Sequence, residues 1–170
     1  MNTAPQKFAH QLESSSSLSL SKYFIEELMA AAQPSAPPKI VVMTRSTSSR
    51  PWFTSNPHIS IRVSDYTASS IQAILDGTNA TALFSFLHSN DPRSYNTAQE
   101  AMLAASRASK SCRRFVPSDY GGDIDRFPGL PRFYEPTHRA FRENIPASRD
   151  RDRVDGRQPW VVHGLLRTGK

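Results

Sequence analysis

The chain has 170 residues, a length that holds one domain, and hydrophobic residues make up 38% of it. Pro (13) outnumbers Gly (7), and the apolar share is low for a compact α/β domain, which predicts a core with polar ends. The formal net charge is +6, but arginines alternate with acids in Arg149-Asp150-Arg151-Asp152-Arg153, a self-neutralising run that argues against a nucleic-acid partner.

Residues 1–17 are polar and close on Ser14-Ser15-Ser16-Ser17, so they read as a disordered lead-in. Helical spacing begins at Ser21, a candidate N-cap, and places Phe24, Ile25, Leu28, Met29 and Ala32 on one face. The Pro-rich stretch Gln33–Pro38 stops that helix. Ile40-Val41-Val42-Met43 is continuously apolar, as in a strand buried on both faces. Thr44-Arg45-Ser46 follows, and a polar loop runs to Pro57. Ile59, Ile61 and Val63 alternate as a second strand that ends near Asp65. Thr67 is placed to cap a helix that buries Ile71, Ile74 and Leu75, with Asp76-Gly77 at its end.

Ala82–Leu87 reads as a third strand, and Asp91-Pro92 turns the chain into a helix marked by Tyr95, Ala98, Met102 and Ala105. Arg114–Pro117 is a fourth strand, and Arg139–Ile145 begins another helix that Pro146 cuts short. Alternating strands and helices predict a parallel sheet with crossover helices. From Ala147 onward the text is charged and punctuated by Pro and Gly, so residues 147–170 read as a flexible tail.

One cysteine, Cys112, excludes an intramolecular disulfide and a multi-thiolate metal site. No His pair has metalloprotease spacing, no Walker loop is present, and no metal is expected. No apolar run is long enough for a membrane span, and the N-terminus lacks a basic stretch followed by an apolar one. The expectation is a soluble cytoplasmic protein without a membrane partner.

The densest signal is Arg113–His138, RRFVPSDYGGDIDRFPGLPRFYEPTH: a short strand, then the polar tip Ser118-Asp119-Tyr120-Gly121-Gly122, then a Pro-rich loop. Polar loops at the carboxyl ends of parallel strands are where such sheets bind ligands. This wording resembles the NmrA-like and isoflavone-reductase-like proteins, an atypical NAD(P)-binding branch of the short-chain dehydrogenases. Their fifth strand ends in a similar Arg-Phe-aliphatic-Pro-Ser-acid-aromatic-Gly. The resemblance spans Ser21 to Ile145 and is strongest at Arg113–His138.

The resemblance implies a Rossmann-like α/β domain over residues 18–146, with NADP as cofactor and a small aromatic substrate. It puts Arg45, with Arg50 beside it, at the 2′-phosphate of NADP, where a guanidinium bonds bidentately. Thr44 and Ser46 would supply hydroxyl donors. Asp65 and Tyr66 would line the adenine pocket, and Phe86 and Leu87 would back the nicotinamide ribose. An exposed loop arginine, a helix cap at Asp65 and an ordinary strand end at Phe86–Leu87 are the alternatives.

Catalysis in the resembling reductases uses a Lys soon after the fifth strand. Matching Phe141-Arg142 to the family's Val-Arg puts His138 at that position. Tyr134 and His138 also have the spacing of a Tyr-x-x-x-Lys pair, with His for Lys. A neutral imidazole can move a proton near pH 7 but is not a permanent cation. The family's G-x-x-G-x-x-G falls on Ser15, Leu18 and Ser21, so all three glycines are absent. The stretch before them does not read as a buried strand. A partial Rossmann-like sheet, its first strand and Gly-rich loop missing, is therefore expected. Three readings remain open: an NADPH-dependent reductase with impaired chemistry, a non-catalytic NAD(P) sensor acting on a regulatory protein partner, and an inactive fragment.

Overall fold

A computed structural model describes residues 7–11, 15–45, 51–89, 91–120, 126–127, 135–139 and 141–142. In chain order the elements are β1 (Lys7–Gln11), α1 (Ser15–Ala31), β2 (Lys39–Thr44), α2 (Pro51–Thr54) and β3 (Ile59–Val63). They continue with α3 (Ala68–Thr78), β4 (Ala82–Ser85), α4 (Pro92–Ala108), β5 (Arg114–Val116) and a π-helical turn, Glu135–Arg139. The strands form one parallel sheet in the order β3-β2-β1-β4-β5. This is a doubly wound parallel arrangement, with the strand order reversing between β1 and β4.

The expectation of a missing first strand is overturned. β1 is present and central, pairing with β2 through Ala9↔Val41 and with β4 through Ala9↔Leu83. Its text, KFAHQ, lacks the aliphatic run that usually marks a strand buried by neighbours on both sides. Backbone pairing on two sides overrides that weak preference, because a strand's intrinsic propensity yields to its context. The expected disordered lead-in over residues 1–17 therefore gives up 7–11 to the sheet, and α1 starts at Ser15, not near Ser21. The short α2, inside what reads as a polar loop, is a further addition. The expected tail, 147–170, lies outside the described residues.

The pleat of β2 sorts the core. Val41 and Met43 face one side and join Leu83, Phe115, Ile71 and Leu75 of α3, and Tyr95 and Met102 of α4. Ile40 and Val42 face the other and join Ile25 of α1, Phe53 of α2 and Ile59. A third cluster, Ala82, Phe84 and Phe86, receives Phe24 from α1, whose ring lies 4.8 Å from Phe84 and 5.3 Å from Phe86. Helices thus cover both faces, as parallel sheets require.

Caps fix the helix ends. Thr67 accepts from the Ser70 amide at the start of α3, as the sequence anticipates, and Asn79 closes it in the left-handed conformation (φ 50°). Asp91 accepts from the Arg93 and Ser94 amides at the start of α4, with Pro92 in the first turn. Asp76, at the end of α3, accepts from the Ser109 hydroxyl (2.6 Å) and the Lys110 amide (2.9 Å), tying α3 to the loop that enters β5. The Ser109 hydrogen bond, foremost, holds the Asp76 carboxyl below its ordinary value.

Leu75 is fully buried between the sheet and α4. Leu75→Ala is expected to lose about 2–5 kcal/mol of stability in denaturant unfolding. A loss under about 1 kcal/mol would mean that α3 is not packed in this way.

Candidate functional site

All five strands run the same way, so their carboxyl ends share one edge, and the sequence-derived residues collect there. Thr44 ends β2, is buried, and accepts from the Ser64 amide at 2.9 Å through its carbonyl. Arg45 follows and is exposed, its guanidinium 5.0 Å from the centre of the Tyr66 ring. Ser46 and Arg50 lie outside the described residues.

Tyr66 is unusual in its backbone. Its φ is 62°, a region that bulky residues rarely enter and that costs about 1–3 kcal/mol. Three contacts hold it there. Its amide donates to the Ser64 hydroxyl at 3.0 Å, its hydroxyl donates to the Met43 carbonyl at 3.2 Å, and its ring is buried in the core. Such strained positions cluster at ligand clamps. Asp65 accepts from the Thr67 amide (3.0 Å) and hydroxyl (2.8 Å). Those bonds hold its carboxyl below the ordinary value, so the capping-loop alternative for Asp65 is realised in the geometry.

Beyond β4, Phe86 and Leu87 are both buried. The Phe86 ring stacks on Tyr120, centroids 4.9 Å apart and planes 14° apart. Beyond β5, the Tyr95 hydroxyl of α4 donates to the Ser118 carbonyl at 2.5 Å. Arg142 forms an ion pair with Asp119, its Nε donating to Oδ2 at 2.5 Å. Among the described residues, the other Asp119 oxygen (Oδ1) and the Tyr120 hydroxyl are buried without a partner. Burial, with the nearby Tyr95 and Asp119 groups adding to it, pushes the Tyr120 phenol far up, so it stays protonated.

His138 sits on the π-helical turn, an irregularity often found at functional sites. Its Nδ1 is 2.7 Å from the Thr137 hydroxyl, and its ring centre is 4.9 Å from that of Tyr95. The turn is anchored from α4, where the Asn96 amide donates to the Pro136 carbonyl at 3.1 Å. Burial lowers the His138 pKa and outweighs the opposing pull of Asp119; Arg142 and His88 lower it further, and a backbone hydrogen bond to Ser118 raises it. Tyr134, the other expected catalytic residue, lies outside the described residues.

The edge therefore carries two groups. Arg45, Asp65 and Tyr66 gather at β2 and β3, and Phe86, Ser118, Asp119, Tyr120 and His138 gather at β4 and β5. Sequence reasoning missed Tyr95 and Arg142 as members. Tyr95 carries an ordinary helical core signal, and the Asp119–Arg142 pair spans 23 residues that no local spacing announces. The aligned glycine positions Ser15, Leu18 and Ser21 all lie within α1, and residues 12–14, which precede it, lie outside the described residues. Ser21 is fully buried. A small residue belongs where the first helix of this fold approaches the sheet most closely.

The fold is that of a Rossmann-like α/β domain. No protein-family model matches the chain. It is distantly homologous to oxidoreductase swnR: 30% identical over 126 residues to the protein from Arthroderma benhamiae and 28% over 131 residues to that from Metarhizium robertsii. It spans 38% and 39% of the lengths of those two relatives. Among solved structures it resembles the binary complex of leucoanthocyanidin reductase with NADPH from Vitis vinifera. That match has a TM-score of 0.53 and 19% identity, covering 79% of this chain and 44% of that one. The resemblance first read at Arg113–His138 is thus borne out as distant homology and a shared fold. Among the described residues no helix is long and apolar enough to cross a membrane.

The lowered His138 pKa fixes a sign. The unfolded chain, titrating near 6.5, takes up a proton that the folded chain resists, so stability falls as pH drops below that value and levels off below the folded pKa. His138→Gln is expected to flatten the melting-temperature profile between about pH 7 and pH 5 relative to wild type. An unchanged profile would show that His138 is not held neutral.

Proposed function

We propose that the chain forms the dinucleotide-binding part of an NADPH-dependent reductase acting on a small aromatic substrate. The observation that supports this best is Arg45, held against a strained, core-anchored Tyr66 at the carboxyl end of β2. That is one strand away from the carboxyl end of β1 and the start of α1, where a dinucleotide's pyrophosphate would meet helix amides. The buried Ser21 and the unpartnered polar atoms beyond β5 fit the same ligand. Bound there, the cofactor would supply a hydride. Arg45 would hold the 2′-phosphate, Tyr66 would flank the adenine, and Phe86 and Leu87 would wall the reduced end.

His138 is the proposed proton-handling group, neutral at pH 7 and aligned by Thr137 and Ser118. The same observation favours a second reading, a dinucleotide sensor without hydride transfer. A neutral imidazole gives no permanent cation beside the ribose. The two readings part on chemistry, since a sensor binds NADPH without oxidising it when offered aromatic carbonyl substrates. Both need binding in the cytoplasm-like range of cofactor concentration.

Calorimetry on the full chain tests the shared part. Wild type is expected to bind NADP⁺ more tightly than NAD⁺. Arg45→Ala should weaken NADP⁺ by about 10- to 100-fold, the size of one or two charge-assisted hydrogen bonds, and leave NAD⁺ nearly unchanged. No affinity for either nucleotide below millimolar, or equal loss of both on substitution, would overturn the proposal.

A further inference from the structure

Large apolar side chains left in water one at a time are ordinary, but neighbours on one helix face mark a contact surface. Among the described residues four such side chains are well exposed, and two of them, Leu20 (44%) and Tyr23 (64%), are neighbours on α1. The helix carries two stripes. Ser21, Ile25 and Leu28 face the sheet, with Ser21 and Ile25 buried and Leu28 packed against the core. Leu20, Tyr23, Glu27 and Ala30 repeat the same three-and-four spacing along an exposed stripe. Leu20 lies one turn before Phe24, whose ring packs on Phe84 and Phe86, so the exposed stripe flanks the β4 side of α1. Helices α3 and α4 pack on the other face of the sheet, and among the described residues no helix covers this stripe.

Charge selects what fits it. Glu27 stands within the stripe and makes no ion pair among the described residues, whereas Glu26 beside it meets Lys22 at 3.7 Å. A second copy of α1 packed here would bring two such carboxylates into one apolar contact, which disfavours self-pairing. The occupant that fits is apolar and cationic. Residues 157–170, outside the described fold, have that composition. Trp160-Val161-Val162 and Leu165-Leu166 are apolar, Arg157, Arg167 and Lys170 are cationic, and no acid occurs.

Reach allows the contact. Arg142, tied to Asp119 just beyond β5, fixes where the chain leaves the described fold. β5 stands two strand spacings, about 10 Å, from β1, and α1 starts at the carboxyl end of β1. Residues 143–156, fully extended, reach up to about 46 Å, well beyond that separation. We infer that the apolar segment 160–166 of this chain packs on the Leu20–Tyr23 stripe of α1, with the neighbouring cations set toward Glu27. Docked there, it takes both exposed side chains out of water and supplies the charge that Glu27 lacks.

Acrylamide quenching of Trp160 tests this on the full chain carrying Trp52→Phe, which leaves Trp160 as the one tryptophan. Its emission is expected to be blue-shifted and several-fold less quenched than that of free tryptophan amide. Tyr23→Ala, at an exposed position outside the core, should raise the quenching by about threefold, and Tyr23→Phe should not. Glu27→Lys should raise it in the same way, by placing like charges together. A second reading comes from the chain with both tryptophans, where a nuclear Overhauser contact between the Trp160 indole and the Leu20 methyls is expected. Quenching at the rate of the free amide, or no such contact, would overturn the inference. Protection of Trp160 that survives both Tyr23→Ala and Glu27→Lys would also overturn it, since the segment would then lie elsewhere. Protection that fades on dilution would overturn it too, by placing the segment on a second molecule.

Discussion

The structure depends on a backbone ladder rather than on a side chain. β1 donates and accepts along both of its edges, to β2 on one side and β4 on the other. Remove it and the sheet falls into two pairs, β3-β2 and β4-β5, each with an open edge. With it in place, the carboxyl ends of β2 and β4 are brought to opposite sides of one strand, at the switch point of a doubly wound sheet. Every proposed contact at the site inherits its position from that pairing.

From that frame the two halves of the edge acquire different characters. In the β2–β3 half Arg45 and Asp65 are exposed and opposite in charge, and Arg45 lies over a ring that is itself rooted in the core. In the proposed reading its guanidinium is the group that would meet a phosphate. The β4–β5 half is more buried and nearly neutral. There the Asp119 charge is matched by Arg142, burial holds His138 in its neutral form, and the Tyr120 phenol keeps its proton. Such a place suits an uncharged ring, as the proposed reading requires. The strain at Tyr66 belongs to this division, since a bulky residue at φ 62° persists only when its surroundings fix it.

Much of the architecture was legible because it is written locally. The apolar run Ile40–Met43 announces a buried strand, Thr67 and Asp91 announce helix starts, and the text from Arg114 to Tyr120 announces a strand entering a ligand loop. β1 was not legible, because a central strand can draw its stability from two neighbours while carrying Lys, His and Gln itself. The start of α1 was hidden for a related reason. Serines favour caps and turns, so a serine tract reads as an end rather than as the first turns of a 17-residue helix. At the sheet edge, Arg45, Phe86 and His138 are candidates that the resemblance implies. The partners that give them their chemistry were not legible. Tyr95 reaches Ser118, and Arg142 reaches Asp119, each across 23 residues of chain.

The central claim is that the lysine-to-glutamine segment at residues 7–11 is an interior strand. Native-state hydrogen exchange measures this directly, because amides paired inside a sheet open only with global unfolding, whereas those of a polar lead-in exchange at once. The amides of Phe8, Ala9 and His10 are expected to exchange as slowly as those of Val41 and Val42 on the neighbouring strand. Exchange of Phe8–His10 at the rate of an unstructured peptide, with β2 still protected, would contradict the account.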